Sequence, residues 1–385
     1  MRKIYLDYNA TTPLKPQVYE AMVPYLKEHY GNPSSIHWAG QAAKEALMIA
    51  REKVANLFHV DPQEIVFTSG GTEANNLALK GAFEMLQKKG RHIITTQVEH
   101  KSILECCDYL KKRGAEITTV PVHASGQINL EALKAAIRPD TILISIQAAN
   151  NETGVLMPLK EISDIARVHN VLFHTDAVQL AGKRELLLDT LPIDLVSISS
   201  HKIYGPKGAG ALILRNALKL ECVLHGGNQE RKRRGGTENV AAIVGFGAAC
   251  ALIKQEMKDE SPRLEVLRNK LEEGILKIIP DSTLNGQDSP RVFNTLNISF
   301  QGIEAEGLLL NLDLKGVAAS SGSACSSGSL DPSHVLLAMG TSRENALSSI
   351  RFSLGYQTQE EDVVTVLEIL PEIVERLRAL NEACQ

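Results

Sequence analysis

Val171-Leu172-Phe173-His174-Thr175-Asp176 and Asp194-Leu195-Val196-Ser197-Ile198-Ser199-Ser200-His201-Lys202 decide how this chain folds. Each is a short apolar run that ends on an ionisable group. Such runs read as buried strands. Ionisable groups past the carboxyl ends of parallel strands lie where open α/β sheets hold their ligands. A lysine so placed can form a Schiff base with an aldehyde, and a carboxylate can keep a pyridine nitrogen protonated. Together Lys202 and Asp176 match what pyridoxal 5′-phosphate (PLP) asks of a protein. Taken singly, Lys202 also reads as a surface loop lysine and Asp176 as a helix cap.

Working outward, strands and helices alternate from about residue 64 to 215. The strand candidates are Ile65–Phe67, His92–Thr95, Ile117–Val120, Ile142–Ile146, Val171–Phe173, Leu195–Ile198 and Ala209–Leu214. Helical patterns such as Asn75–Gln87 and Leu159–Val168 lie between them, as a mostly parallel sheet wrapped by helices requires. Ala39, Ala42, Ala43, Ala46, Leu47, Ala50, Val54 and Leu57 recur at helical spacing ahead of this core. A long helix is expected near 239–257. The rest reads as helix, strand, helix, a Ser/Gly loop, short helices, a strand and a final helix. A chain of 385 residues exceeds what one core usually serves. Two domains are expected, 1–257 and 258–385, with the N-terminal segment able to pack against the smaller one.

Composition narrows the function. Lys and Arg number 41 against 45 Asp and Glu, and no basic run exceeds Arg231-Lys232-Arg233-Arg234, so a broad nucleic-acid grip is not expected. That run reads as a solvated loop, or, followed by Gly235-Gly236-Thr237, as a neighbour for a phosphate. No membrane span is expected, the most apolar stretch, Ala241 to Ile253, reading as a buried helix. The N-terminus lacks a signal-peptide apolar region. The six cysteines form no C-x-x-C pair, so no metal site is expected and a reducing, cytoplasmic setting is.

Several loops carry candidate chemistry. Ser69-Gly70-Gly71-Thr72-Glu73-Ala74 follows a strand and opens a helix, where free N–H groups and the helix dipole favour an anion; it also reads as a glycine turn with Thr72 as N-cap. His100, after Val98-Glu99, can lie on a cofactor ring or cap the next helix. Asn150-Asn151-Glu152-Thr153-Gly154 offers an amide to a ligand or makes a turn. Gln179, past Asp176, can donate to a phenolate oxygen. Ala319-Ser320-Ser321-Gly322-Ser323-Ala324-Cys325-Ser326-Ser327-Gly328-Ser329 holds one cysteine with nothing bulky around it, which reads as an exposed, mobile, reactive thiol or an incidental one. Arg351, in Ser349-Ile350-Arg351-Phe352-Ser353, suits a carboxylate clamp or a salt bridge.

The assembled motifs resemble the NifS/IscS-type cysteine desulfurases, among the fold-type I PLP enzymes. The likeness is carried by Leu6-Asp7-Tyr8-Asn9-Ala10-Thr11-Thr12, Phe67-Thr68-Ser69-Gly70-Gly71-Thr72-Glu73, Glu99-His100-Lys101, Asn150 to Gly154, His174-Thr175-Asp176-Ala177, Ser200 to Gly208, Arg234-Gly235-Gly236-Thr237 and Ser321-Gly322-Ser323-Ala324-Cys325. The last form looks like the subgroup with an extended cysteine loop rather than the SufS-type Arg-x-Gly-His-x-Cys pattern. The resemblance implies a large domain with a mostly parallel seven-stranded sheet and a smaller α+β domain. It implies that Lys202 holds PLP and moves a proton, Asp176 pairs with the ring nitrogen, His100 stacks on the ring and Gln179 bonds its oxygen. Gly71, Thr72, Ser199, Ser200 and His201 would hold the phosphate, with Thr237 from a second subunit of a homodimer. Asn151, also a cofactor contact, and Arg351 would hold L-cysteine, and Cys325 would take its sulfur as a persulfide. Cys325 could then pass it to an iron–sulfur scaffold, as a transient cluster ligand, or to another acceptor protein. Gln385 follows soon after the last helix, so docking through a long C-terminal tail is not expected. The competing readings are a PLP aminotransferase with Cys325 incidental, and a non-catalytic partner in iron–sulfur assembly.

Overall fold

The structure, a computed structural model, describes residues 2–215, 218–321 and 331–383. Seven strands form the main sheet: β1 (Ile65–Thr68), β2 (His92–Thr96), β3 (Glu116–Val120), β4 (Thr141–Ser145), β5 (Leu172–Asp176), β6 (Leu195–Ser199) and β7 (Gly210–Leu214), in the order β1-β7-β6-β5-β4-β2-β3. β7 runs antiparallel to both β6 and β1, and every other pairing is parallel. The reversal has a local cause. Only the short turn Ser200–Lys202 and a loop separate β6 from β7, too little chain for the crossover a parallel neighbour needs.

Both faces of the sheet are covered except at the edge strand β3, which is why strands such as β1, β4 and β7 are mainly apolar rather than alternating with polar residues. Neighbouring residues point to opposite faces. Phe67, Ile94, Ile144, Val196 and Ile213 enter one core, with Leu47, Phe58 and Phe246. Val66, Ile93, Leu143, Leu195 and Leu212 enter the other, with Phe83 and Ile103. The first is roofed by Trp38–Phe58 and the start of a helix that runs from Val240 to Ile278.

That helix corrects two expectations. It does not end near 257 but continues through Pro262, so the expected boundary at 257/258 falls inside one helix. It is also long and apolar enough to cross a membrane by composition, contrary to the reading that no segment is; half of that apolar stretch is buried within the protein. Ile243, Phe246 and Cys250 belong to the sheet core, whereas Leu264, Leu267, Leu271 and Ile275 belong to a separate one. This second core is backed by an antiparallel sheet in the order Ser320–Ser321, Ser349–Ser353, Thr295–Phe300, Ser282–Leu284 and by the helix Glu360–Ala383. Ile4 and Leu6 are buried in it, and Ile4–Tyr5 pairs in parallel with Val317–Ala318. The chain therefore starts on the second core and passes to the first between residues 7 and 15.

Candidate active site

The polar groups converge at the carboxyl edge of β4, β5 and β6, where the N-terminal segment crosses from one core to the other. β5 ends on Asp176. Its Oδ2 accepts from Asn75 Nδ2 at 2.7 Å and its Oδ1 from the Val178 N–H at 3.0 Å. Asn75 Nδ2 also reaches Ser102 Oγ at 2.8 Å, and Ser102 Oγ lies 2.8 Å from His100 Nδ1. His100 caps the helix Lys101–Lys111, accepting from the Ser102 N–H at 3.1 Å. The capping role and a place in the site are therefore compatible. The turn after β6 delivers Lys202, whose Nζ donates to the carbonyls of Asn9 at 2.6 Å and Ala10 at 2.7 Å.

The turn between β1 and the helix Gly71–Leu86 offers an anion cradle. A side chain at Gly71 would stand 2.7 Å from Val178 Cγ2, so the backbone here must stay bare. Ser199 and Ser200 are buried, and their hydroxyls find no partner among the described residues. Ser199 Oγ lies 3.8 Å from where a Cβ on Gly70 would sit. An unspent donor on Ser199 facing a glycine turn at a helix N-terminus suits a phosphate, whereas Ser200 Oγ lies against Gly205. Thr72 is exposed at that helix start. Glu73 closes the turn by accepting from the Ser69 N–H. Burial raises the Glu73 carboxyl, but bonds from Arg234 and Ser69 outweigh burial and hold it below its ordinary value. His201 contacts Thr11 Oγ1 at 3.1 Å. Burial first, then Lys202 and Lys207, lower its pKa to about 4.

Asn9 joins these groups. Its carbonyl accepts from Lys202 and, at 3.0 Å, from Gln179 Nε2. Its Oδ1 accepts from Lys183 Nζ at 2.8 Å, and its Nδ2 donates to the Asn151 carbonyl and to Thr295 Oγ1. Lys183 also donates to Gln179 Oε1 at 2.8 Å. Burial first, then Lys202 and Arg351, push the Lys183 amine well below its ordinary value. Arg351 makes a salt bridge, the alternative to a carboxylate clamp, and makes it in a buried position. Its Nη2 binds Asp7 Oδ1 at 2.7 Å and its Nη1 the Asn151 carbonyl at 3.1 Å, while its buried Nε has no partner among the described residues.

Spacing alone did not expose Asp7, Asn9, Asn75, Ser102 or Lys183. Two had a usable signal: Asn75 lies one helical turn past Gly71, and Lys183 four residues past Gln179. Thr237 is exposed on the loop that Arg234 ties to Glu73 at 2.8 Å. Cys325 and residues 322–329 of the segment expected to be mobile, 320–329, lie outside the described residues. Ser320 and Ser321, read as part of that loop, are instead paired with Arg351 and Ile350.

The aminotransferase class-V family model matches residues 4–366. The chain belongs to that family. Within it, the "Cysteine desulfurase IscS" of Dictyoglomus turgidum is 51% identical over 380 residues, covering 99% of this chain and 96% of that relative. Among solved structures, a "NIFS-LIKE PROTEIN" superposes with a TM-score of 0.92 at 38% identity, covering 98% of this chain and all of that one. One titled "SspA in complex with cysteine" has a TM-score of 0.80 at 38% identity, covering 92% of this chain and 99% of that one. This class-V chain thus keeps the family fold along nearly its whole length, with a mixed sheet, mostly parallel, flanked by helices.

Proposed function

We propose that the chain is a PLP-dependent cysteine desulfurase that converts L-cysteine to L-alanine and places the sulfur on Cys325 as a persulfide. The observation that carries this is the meeting of Lys202, Asp176, His100 and Gln179 with a bare glycine turn and the unpartnered buried Ser199 hydroxyl beside it. That set fits a phosphorylated pyridine aldehyde. Gly71, Thr72, Ser199, Ser200 and His201 would hold its phosphate, Asp176 its ring nitrogen, Gln179 its ring oxygen and Lys202 its aldehyde carbon. PLP, when bound, supplies an electron sink for bonds at the substrate Cα.

The chain's own groups do the rest. Lys202 Nζ, held by two backbone carbonyls, takes and returns protons. His100 serves as a second acid/base beside the ring. Arg351, the Asn151 side chain and the strand Ser349–Ser353 receive the substrate carboxylate. The Cys325 thiol takes the substrate sulfur. Cysteine and thiol give alanine and persulfide with atoms and electrons balanced and no outside oxidant. The name and the cysteine ligand of the relatives support this substrate.

The same proposal has a homodimer, with exposed Thr237 reaching the partner's phosphate site and exposed Ile36 and Trp38 available to be covered. The unpaired Cys106, Cys107, Cys222 and Cys250 suit a cytoplasmic setting. Delivery to an iron–sulfur scaffold or another acceptor protein follows from the persulfide. The test is direct. Purified protein with PLP, L-cysteine and a thiol reductant should form alanine and sulfide in equal amounts with no keto acid present. Turnover that depends on a keto acid would make the chain an aminotransferase instead.

A further inference from the structure

Four side chains form an unbroken hydrogen-bonded line across the site: Asp176, Asn75, Ser102 and His100. Counting hydrogens gives the line a direction. A carboxylate only accepts, so Asp176 Oδ2 requires the amide nitrogen of Asn75, not its oxygen. That nitrogen has two hydrogens, and the second goes to Ser102 Oγ. The hydroxyl has a single hydrogen, and its remaining near partner is His100 Nδ1 at 2.8 Å. The Ser102 backbone N–H points at the same Nδ1 from 3.1 Å. Two donors aimed at one ring nitrogen leave no room for a proton there. The proton of a neutral ring must then sit on Nε2.

We propose that Asn75 and Ser102 are positioning residues that hold His100 as the Nε2-protonated tautomer and tie it to the Asp176 carboxylate. Asn75 is 1% exposed and Ser102 9%, so water does not compete for either bond. This role deepens the proposed function, because it rests on Asp176 and His100 both facing the cofactor ring. The ring's acid/base partner and the carboxylate at its nitrogen are then set by one chain of bonds. A shift of either is passed to the other. The acid/base atom presented to the substrate is Nε2.

The full-length protein, labelled with 15N at histidine, can be followed by two-bond 1H–15N correlation spectra with and without PLP. His100 is assigned by its loss in His100→Gln. The expected spectrum has the His100 proton on Nε2 and a hydrogen-bonded, unprotonated Nδ1, already in the PLP-free protein. Ser102→Ala, which removes one of the two Nδ1 donors, should move the Nδ1 signal toward that of an unbonded lone pair, and Asn75→Ala, which only frees the Ser102 hydroxyl to turn, should move it less in the same direction. Ser102→Thr, which keeps the hydroxyl, should restore it. With PLP and cysteine, the two alanine variants should lose about tenfold in kcat with KM changed less than about twofold. A proton found on Nδ1 would overturn the assignment, as would a His100 signal unmoved in both alanine variants. If Asn75→Ala does not fold, the Ser102→Ala and Ser102→Thr pair decides alone. A protein that makes no alanine from cysteine would sink the desulfurase reading, yet the spectra of the PLP-free protein would still judge the relay.

Discussion

Arg351 shows how one residue's meaning changes between sequence and structure. In sequence it is a lone arginine in a strand pattern. In the fold it is 2% exposed and already paired with Asp7. A buried cation stripped of its partner costs about 3–5 kcal/mol, so Asp7 stabilises the guanidinium, and under the proposed function the substrate carboxylate would share or replace that pairing. Arg351→Ala should raise KM for cysteine at least about tenfold while PLP still binds, and Arg351→Lys should rescue little because the planar fork is lost. Steady-state kinetics check this; an unchanged KM would remove Arg351 from the substrate site.

His174 gives a pH prediction at the same scale. It lies between β4 and β6, its ring nitrogens 2.8 Å from Ser145 Oγ and 2.9 Å from Ser197 Oγ. Burial lowers its pKa to about 3. The unfolded chain then binds a proton that the folded one refuses between pH 6.5 and 3. Stability from this group is complete above 6.5 and is lost as pH falls, at up to about 1.4 kcal/mol per pH unit. Glu99 has the opposite sign: burial pushes its carboxyl up to about 8, so its contribution is lost as pH rises from 4.5 to 8. His174→Gln should flatten the fall in denaturation midpoint between pH 6.5 and 4. An unchanged slope would place the acid sensitivity elsewhere. None of this was legible in the sequence, because His174 sits in an apolar run like any strand residue.

At the scale of elements, the strands of the main sheet were legible because apolar runs of strand length leave few alternatives. The helix Val240–Ile278 was not read whole. Its middle, Lys254-Gln255-Glu256-Met257-Lys258-Asp259-Glu260, drops the apolar period where the helix passes between two cores, and Pro262 looks like a stop. Pro262 removes one helical hydrogen bond, but Leu264, Leu267, Leu271 and Ile275 bury again beyond it and carry the helix on. Glycine in its first half has a packing reason. At Gly247 a Cβ would meet Ala50 Cα at 2.7 Å and Ala50 O at 3.0 Å, on the facing helix Trp38–Phe58. Helix propensity alone would make Gly247→Ala stabilising by about 1 kcal/mol. Overpacking against a backbone costs about 1–3 kcal/mol. The second effect is the larger over most of that range, so urea titration of Gly247→Ala should show a net loss of up to about 2 kcal/mol, and a gain would mean that the two helices can part.

The whole molecule is held together at the site itself by the segment between residues 7 and 15. Lys15, buried, pairs with Glu256 on the long helix and lies 4.9 Å from the ring centre of Tyr356. Asn9 takes bonds from both sides. Lys183, Gln179 and Lys202 come from the side of the main sheet; Thr295 and the Ser353 hydroxyl, which accepts from the Asn9 N–H at 2.9 Å, come from the side of the second core. The motif around Asn9 was conspicuous in the sequence, but its task was not, because every partner lies far along the chain. Asn9→Ala keeps the carbonyl that holds Lys202 and removes the side-chain bonds to Lys183, Asn294, the Asn151 carbonyl and Thr295. Buried polar groups left unpaired cost about 1–3 kcal/mol each, less where the partner finds another bond, as Lys183 does with Gln179. The loss should therefore be about 3 kcal/mol in urea titration. The variant should still form a borohydride-reducible link to PLP through Lys202 once folded at low temperature. Stability within about 0.5 kcal/mol of the parent would show that the two cores are joined by the long helix alone, and that the N-terminal crossing is decoration rather than the seam of the site.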